Sequence, residues 1–368
     1  MKQDDLLLVT AHAEFLEAAI AELQRLDKRL KCDSILGPEV ALCQTPAVPA
    51  LMHTAVKVRP TFVRHLAPVQ TIIDLSNTEQ DIGNIALAIA ELPAFTLLER
   101  GQRFAVQTRF VHGSQESEQQ ANRGKHPYTG GQLNQQLAAA IAEETGAIEA
   151  VKKPQVVVSV LCTAEKCYLG ISTVEENLSA WPGGARHFAQ TPEQISRAEF
   201  KLLEALEIFG VSLPAEGLAL DLGAAPGGWT RLLLEAGLSV VAVDPARLDV
   251  RLAKAPHLEQ YHGYAETYLE EAIRKHKKFD VIVNDMRMDA REAARLVGQA
   301  ARCLRTGDGF VLSTLKLPHA TREIDPLATL REALNILRKH YGIVEARQLF
   351  HNRQEVTVIA AQPLSMRL

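Results

Sequence analysis

The stretch Leu218–Thr230 constrains the fold more than any other part of the sequence. Its apolar run ends at Asp221, and a helical pattern begins at Thr230. The turn between them contains three glycines and a proline, namely Gly223, Pro226, Gly227 and Gly228. Glycine lets the backbone approach a ligand without a Cβ clash, so this layout predicts the first strand, turn and helix of a Rossmann-like sheet. The alternative is a glycine-rich turn that binds no ligand.

Composition sets broad limits on the class of protein. A chain of 368 residues, 47% apolar and 23% charged, is typical of a globular protein with two or three domains. The run Leu6–Val9 is short and follows acidic residues, unlike a signal peptide, and no apolar stretch approaches the roughly 20 residues that span a bilayer. The five cysteines are scattered, which favours reduced thiols over a metal site. We therefore expect a cytoplasmic protein with no membrane partner and no metal.

Strands and helices alternate regularly after the region 176–190, which has no periodicity and is predicted to be a linker or a substrate-facing loop. A helix is predicted from Thr191 to Phe209. Strands are then predicted at 217–222, 238–243, 258–262, 279–284, 308–315, 343–350 and 355–361. Helices are predicted between them at 228–236, 264–276, 289–304 and 323–341. This alternation, closed by an antiparallel hairpin, predicts that 191–368 is an α/β domain with a Rossmann-like seven-stranded sheet.

The N-terminal part has a different pattern. In residues 1–75 a strand at 4–10, a helix at 12–27 and β-like runs near 30–43 and 62–73 favour a ferredoxin-like α+β subdomain. In residues 76–175 a helix is expected to begin at Asn77 or Thr78 and to run towards Pro93. It is followed by a strand at 103–111, a helix at 132–145 and strands at 155–162 and 166–174.

The order of elements in 76–175 resembles the THUMP domain, an RNA-binding module. The net charge of −4 excludes a protein that binds nucleic acid over its whole surface, so RNA would be bound by local basic patches. The candidate phosphate contacts are Arg103, Arg109, Arg123, Lys125, Lys152 and Lys153. The alternative is an ordinary solvated surface with scattered charge.

Acids and a lysine stand at the predicted strand ends. Asp244 ends the second strand, 23 residues after Asp221, where a carboxylate can accept hydrogen bonds from ribose hydroxyls. This position suits a nicotinamide cofactor as well as S-adenosylmethionine. Asp285 ends the fourth strand, and the next residue, Met286, offers no stacking surface for a flipped base. Lys316 ends the fifth strand, where a dry cleft and a second cation would lower its pKa and allow it to accept a proton.

Several motifs in the C-terminal half resemble one known family. The glycine-rich turn, D-L-G-x-x-P-G-G-W, resembles motif I of S-adenosylmethionine methyltransferases in the variant found in RNA ribose 2′-O-methyltransferases. Lys201, Asp285, Lys316 and Glu355 resemble, in that order, the Lys-Asp-Lys-Glu tetrad of those enzymes. Together with S-R-x-x-x-K-L, L-K-L-P and R-Q-L-F-H-x-R-x-E-V-T-V, these motifs resemble the large-subunit (23S) rRNA ribose 2′-O-methyltransferase M family, which joins a THUMP-containing region to such a catalytic domain.

The resemblance implies a role for each matching residue. Lys316 would be the general base for a ribose 2′-hydroxyl, Lys201 would lower its pKa and orient the ribose, and Glu355 would hold a lysine in place. Asp285 would lie beside the methionine end of S-adenosylmethionine. The residues implied to bind that cofactor are Ser196, Gly223, Ala225, Pro226, Gly227, Gly228, Trp229, Asp244 and Asp285. The acid that many methyltransferases carry after the third strand is replaced by His262-Gly263.

The function predicted by this resemblance is methylation of a cytidine ribose in 23S rRNA before the ribosome is fully assembled. One alternative is the same chemistry on another RNA, such as tRNA. A second is a catalytically silent RNA-binding protein that binds S-adenosylmethionine, and a third, less favoured, is a nicotinamide oxidoreductase.

Overall fold

The computed structural model describes residues 5–111, 126–321 and 324–364. It divides into two compact units, Met1–Arg186 and His187–Leu368. The boundary falls inside the segment 176–190. Up to Arg186 that segment packs within the first unit, where Asn177 is fully buried and its carbonyl accepts a hydrogen bond from the Leu66 amide at 3.1 Å.

The first part of the N-terminal unit is a four-stranded antiparallel sheet with two helices. Its elements are β1 (Leu6–Thr10), α1 (Leu16–Leu26), β2 (Lys31–Gly37), β3 (Val40–Gln44), α2 (Val48–Val58) and β4 (His65–Val69). The strand order is β2-β3-β1-β4, which with this βαββαβ connectivity is the ferredoxin-like arrangement. The sequence interpretation missed α2, although its buried residues Val48, Leu51, Met52 and Ala55 have helical spacing.

A five-stranded mixed sheet completes the first unit. Its elements are β5 (Thr71–Asp74), α3 (Gln80–Ala90), β6 (Arg103–Phe110), α4 (Gly130–Thr145), β7 (Ile148–Glu149), β8 (Val156–Cys162) and β9 (Lys166–Thr173), in strand order β5-β9-β8-β6-β7. The predicted start of α3 was wrong. Asn77 has a left-handed φ of 57°, and Asp81 accepts hydrogen bonds from the backbone and hydroxyl of Ser76, so the helix begins only at Gln80.

The C-terminal unit confirms the predicted Rossmann-like seven-stranded sheet. Its helices are α5 (Ala198–Phe209), α6 (Gly228–Glu235), α7 (Ala265–Arg274), α8 (Ala290–Ala300) and α9 (Pro326–Leu337). Its strands are β10 (Leu218–Leu222), β11 (Ser239–Val243), β12 (Leu258–Tyr261), β13 (Val281–Asn284), β14 (Phe310–Lys316), β15 (Tyr341–Arg347) and β16 (Glu355–Pro363). The order is β12-β11-β10-β13-β14-β16-β15, and β16 is antiparallel to both of its neighbours.

This topology brings the chemistry-bearing positions to one edge of the sheet. The parallel strands β10, β13 and β14 all end there, and β16 begins there because it runs the other way. Lys316, the last residue of β14, therefore stands directly opposite Glu355, the first residue of β16. In the part of the chain that the structure describes, no helix is long and apolar enough to cross a membrane.

Candidate active site

Four charged side chains from four elements meet at this edge. Lys201 projects from α5, Asp285 follows β13, Lys316 ends β14 and Glu355 begins β16. Lys316 Nζ lies 2.7 Å from Asp285 Oδ1 and also pairs with Glu355. Lys201 Nζ lies 3.3 Å from Asp285 Oδ2 and 2.5 Å from Glu355 Oε1. Each lysine thus bridges the same two carboxylates, and the group, here called the tetrad, carries no net charge when all four side chains are ionised.

Neighbouring polar groups hold the two carboxylates in place. Thr314 Oγ1 donates to Asp285 Oδ1 at 2.6 Å, and Asn352 Nδ2 donates to Glu355 Oε1 at 3.5 Å. Sequence analysis did not single out Thr314. A usable signal was present, because side chains two positions apart on a strand share a face, and Thr314 precedes Lys316 by two residues.

The tetrad shifts the ionisation of its members. Burial opposes the charge of Asp285, but the lysine cations at 316 and 201 outweigh it and lower the pKa of that carboxyl. Burial likewise opposes the charge of Lys316, but the carboxylates of Asp285 and Glu355 prevail and raise its pKa. The expected fall in the pKa of Lys316 is therefore not found in this geometry, because its nearest charged partners are anions.

The glycine-rich turn is tightly packed at each of its glycines. A Cβ on Gly223, whose φ is 74°, would lie 2.2 Å from Met286 Cγ. Gly227, with a φ of 112°, would place a Cβ 2.4 Å from Leu252 Cδ1. Both positions need glycine for conformation as well as for space. The amide of Asp249 also donates to the carbonyl of Pro226 at 2.8 Å, which fixes the turn from outside.

Ser196 lies against the start of α6. A Cβ on Gly228 would stand 2.4 Å from Ser196 Oγ, and this buried hydroxyl has no hydrogen-bond partner among the described residues. Buried polar atoms rarely remain unpaired. An unpaired hydroxyl beside a glycine-rich turn and a helix N-terminus fits a polar ligand such as S-adenosylmethionine, so the residues present suit that cofactor.

Asp244 follows β11 and shapes the same turn. Its Oδ2 accepts a hydrogen bond from the Ala225 amide at 3.1 Å, and its Oδ1 accepts one from the Ala246 amide at 2.7 Å. The side chain is only partly buried, so the carboxylate retains lone pairs that can accept further hydrogen bonds. This placement is compatible with the expected contact to ribose hydroxyls.

Trp229, which the resemblance implies as a cofactor-binding residue, has its side chain directed into the protein interior. Its ring is buried in the core of the C-terminal unit, and its Nε1 donates to the carbonyl of Ala198 at 2.6 Å. The indole therefore ties α6 to the start of α5, the helix that carries Lys201. Its position makes it a support for the turn.

The predicted phosphate contacts of the first unit differ in exposure. Arg103, Lys152 and Lys153 are exposed and available to a polyanion. Arg109 is half-buried and donates to Thr10 Oγ1 at 2.9 Å, which makes it part of the packing. The remaining two, Arg123 and Lys125, lie outside the described residues. Across 5–111, 126–321 and 324–364, no cluster of three or more His, Cys, Asp or Glu residues could hold a metal ion.

Comparison with known proteins defines the class of the C-terminal unit. Residues 194–341 match the model of the FtsJ-like methyltransferase family. This stretch is an FtsJ-like methyltransferase domain, and it contains the glycine-rich turn, Lys201, Asp285 and Lys316. The match confirms S-adenosylmethionine as the expected cofactor.

Similar curated proteins point to a narrower group. The chain is 35% identical over 203 residues to the ribosomal RNA large subunit methyltransferase M of Halorhodospira halophila, covering 54% of this chain and 55% of that protein. It is 31% identical over 208 residues to the protein of the same name from Histophilus somni, covering 53% and 55%. The relative of that name from Thauera aminoaromatica is 27% identical over 309 residues, covering 81% and 78%. The chain spans about half the length of the first two relatives.

Solved structures give a weaker likeness. TrmN from Thermus thermophilus aligns over 97% of this chain and 99% of its own, with 18% identity and a TM-score of 0.39. Aeropyrum pernix fibrillarin with bound S-adenosyl-L-methionine aligns over 55% of this chain and 81% of its own, with 16% identity and a TM-score of 0.35. Scores this low carry no conclusion about function.

Proposed function

We propose that this protein transfers a methyl group from S-adenosylmethionine to the 2′-hydroxyl of a ribose in RNA. The observation that carries the proposal is the tetrad, in which two lysines and two carboxylates interlock at the edge of an FtsJ-like domain. An oxidoreductase or a silent RNA-binding protein has no chemical use for such a set. Methylation of a hydroxyl has one, because a neutral alcohol is a weak nucleophile and must lose a proton as the oxygen–carbon bond forms.

In this proposal S-adenosylmethionine supplies the methyl group. Lys316 takes the hydroxyl proton at Nζ when that amine is neutral. Asp285 and Glu355 hold Nζ in a fixed position between them. Lys201 neutralises the same two carboxylates from the other side, so that the pair does not carry excess negative charge beside the attacking oxygen.

Positioning contributes more than proton transfer. General-base help is worth about 10²–10⁴ in rate, whereas correct alignment of the reacting atoms can contribute roughly 7–11 kcal/mol. The buried environment supports this alignment, since the Glu355 side chain is only 7% exposed and the Lys316 side chain 23%. A rigid and largely dry tetrad keeps its donors and acceptors at fixed points.

The substrate we propose is large-subunit rRNA. The relatives from Halorhodospira halophila and Histophilus somni carry that substrate in their names, and their matched halves resemble this chain. A cytidine as the methylated nucleotide, and an rRNA that is not yet fully assembled into the ribosome, extend this proposal from the family resemblance. The exposed Arg103, Lys152 and Lys153 of the first unit are proposed to contact RNA phosphates.

The experiment that tests the proposal combines transfer with mapping. Unmodified rRNA is incubated with methyl-labelled S-adenosylmethionine and the full chain, and the product is hydrolysed in alkali. A 2′-O-methyl group blocks cleavage of the neighbouring linkage, so one resistant dinucleotide in large-subunit RNA supports the proposal. Labelled RNA that hydrolyses completely would indicate base methylation and refute it. Transfer of the label to tRNA but not to rRNA would support the proposed reaction and would mean that tRNA is the substrate.

A further inference from the structure

Three aromatic rings of the C-terminal unit form a cluster that the proposed chemistry does not use. Phe188 and Phe200 are nearly parallel, with 5.7 Å between centroids and 16° between planes. The His351 imidazole lies 5.5 Å from Phe188 and 5.3 Å from Phe200. None of the three is fully buried. This aromatic cluster is therefore half-buried, the His351 side chain is 16% exposed, and the Phe350 ring lies 5.2 Å from that of His351.

The His351 ring is held in a fixed orientation by a buried acid. Glu204, which is 2% exposed, accepts hydrogen bonds from the amides of Phe350 and His351 at 2.7 and 2.9 Å. It also lies 2.7 Å from His351 Nδ1. A carboxylate only accepts, so Nδ1 carries the proton and Nε2 of the neutral ring is an acceptor. Burying a carboxylate is costly unless it is fully hydrogen-bonded, and a loop that only needed to pack would not require one.

The aromatic cluster is adjacent to the tetrad. Lys201 and Glu204 are three residues apart on α5 and therefore share a helix face. Lys201 Nζ reaches Glu355 Oε1 at 2.5 Å, while Glu204 holds His351 in the loop that leads to β16, four residues before Glu355. One helical turn thus connects the proton-transfer groups to the rings.

We propose that the aromatic cluster stacks an unpaired nucleobase of the RNA strand whose ribose reaches the tetrad, an inference that rests on the proposed function. Single-stranded bases bind by stacking on aromatic and histidine rings. The end of β13 offers no such surface, since Asp285 is followed by Met286, so stacking must come from another side. Arg353, two residues after His351, is exposed, and its guanidinium forms no ion pair within the described part of the chain, which suits a phosphate next to the stacked base.

The test measures stacking directly. The probe is a pool of single-stranded RNA heptamers with 2-aminopurine at the centre, whose fluorescence is quenched on stacking, titrated with the full chain. Phe188→Leu keeps apolar volume but removes the π face, and we expect roughly tenfold weaker binding of the probe. Phe188→Tyr keeps the ring and serves as the matched control, with binding within about twofold of wild type. S-adenosylmethionine affinity and the unfolding temperature should not change in either variant.

The outcomes separate this inference from the proposed function. Equal probe affinity of wild type and Phe188→Leu, or no quenching by wild type that methylates rRNA, overturns the stacking site and leaves the methyl transfer standing. Quenching that Phe188→Leu weakens, in a protein that methylates no RNA, supports the stacking site and refutes the transfer. A Phe188→Leu variant that changes chain self-association instead of probe binding would identify the cluster as a protein contact and refute the inference.

Discussion

Two carboxylates on neighbouring parallel strands have opposite electrostatic environments. Asp221 lies within β10, and Asp285 follows its neighbour β13. Burial raises the pKa of Asp221 to about 7, and the hydrogen bond from Thr230 Oγ1, at 2.6 Å, offsets only part of that effect. Asp285 is also buried, but the lysines at 316 and 201 lower its pKa. The same sheet therefore contains a buried acid that is bonded to Thr230 of α6 and a buried acid that two lysines keep ionised.

The charges around each acid distinguish a structural acid from a functional one at a strand end. Ionisation of an acid that lies beside a hydroxyl and other acids destabilises the folded protein. Such an acid therefore contributes through packing and hydrogen bonding. An acid between two lysines is held charged at a cost in desolvation, and we propose that the tetrad keeps this cost because its reaction uses the charges. Each of the following changes tests one side of this contrast.

The largest expected effect is on the tetrad side. Lys316→Ala removes the proposed base, and single-turnover methyl transfer to rRNA should fall by about 10²–10⁴. Affinity for S-adenosylmethionine, measured by calorimetry, should stay within about twofold, because the glycine-rich turn is untouched. Lys278→Ala is the matched control, since that lysine is exposed and donates to the Arg302 carbonyl, away from the tetrad. Normal turnover in Lys316→Ala would show that Lys316 is not the base and that the proposed role of the tetrad is wrong.

Asp221→Asn tests the other acid. The folded pKa of about 7 lies above the ordinary value of 3.8, so the stability that the protonated form contributes is full below pH 4 and is lost as the pH rises through 7. Asparagine keeps an acceptor for Thr230 and never ionises. The variant should therefore be more stable than wild type at pH 8, by on the order of 4 kcal/mol, and the advantage should vanish at pH 4.

Chemical unfolding at pH 4, 6 and 8 measures this difference. Glu259→Gln is the control, because that acid of β12 is exposed and pairs with Lys277. If Asp221→Asn is as stable as wild type at all three values, the buried carboxyl is solvated and the contrast with Asp285 fails.

Much of this edge could be predicted from the sequence, and what could not has a physical reason. Alternation of strands and helices predicted that Asp285 and Lys316 follow or end strands of one sheet, and the family resemblance grouped them with Lys201 and Glu355. The structure brings these four side chains together at one edge. The sign of the pKa shift at Lys316 was not predictable, because it depends on which charges lie nearest, and strand order does not give distances. The start of α3 was misplaced, since local hydrogen bonds between Ser76 and Asp81 compete with the ordinary N-cap pattern. The helix Val48–Val58 was missed although its buried residues have helical spacing.

Glu355→Gln should change the pH dependence of the methyl-transfer rate, because Glu355 is one of the two carboxylates paired with Lys316. Asp285 and Glu355 raise the pKa of Lys316, so a rate that needs its neutral amine should rise with pH into the alkaline range. Replacing one carboxylate by an amide removes part of that effect, and the pKa of Lys316 should fall. The pH–rate profile of single-turnover transfer should then move to lower pH, with roughly a tenfold larger neutral fraction at pH 8.

Lys201→Met should shift the pH–rate profile of single-turnover methyl transfer in the direction opposite to Glu355→Gln. It removes a cation near Lys316 without removing an anion, so the profile should move to higher pH. Identical profiles for wild type and Glu355→Gln would mean that the titrating group is not Lys316.

The smallest effect is expected at Ser196. Its buried hydroxyl has no partner in the described part of the chain, and a ligand that supplied one would gain about 0.5–1.5 kcal/mol. Ser196→Ala should therefore weaken S-adenosylmethionine about three- to tenfold by calorimetry while leaving the pH–rate profile in place, because the tetrad does not change. Ser239 begins β11, at the end of the strand away from Asp244 and the glycine-rich turn. Ser239→Ala should therefore change neither the S-adenosylmethionine affinity nor the pH–rate profile. Unchanged affinity in Ser196→Ala would mean that this hydroxyl does not meet the cofactor. The turn would then hold the ligand through its backbone alone, in contrast to the side-chain charges of the tetrad.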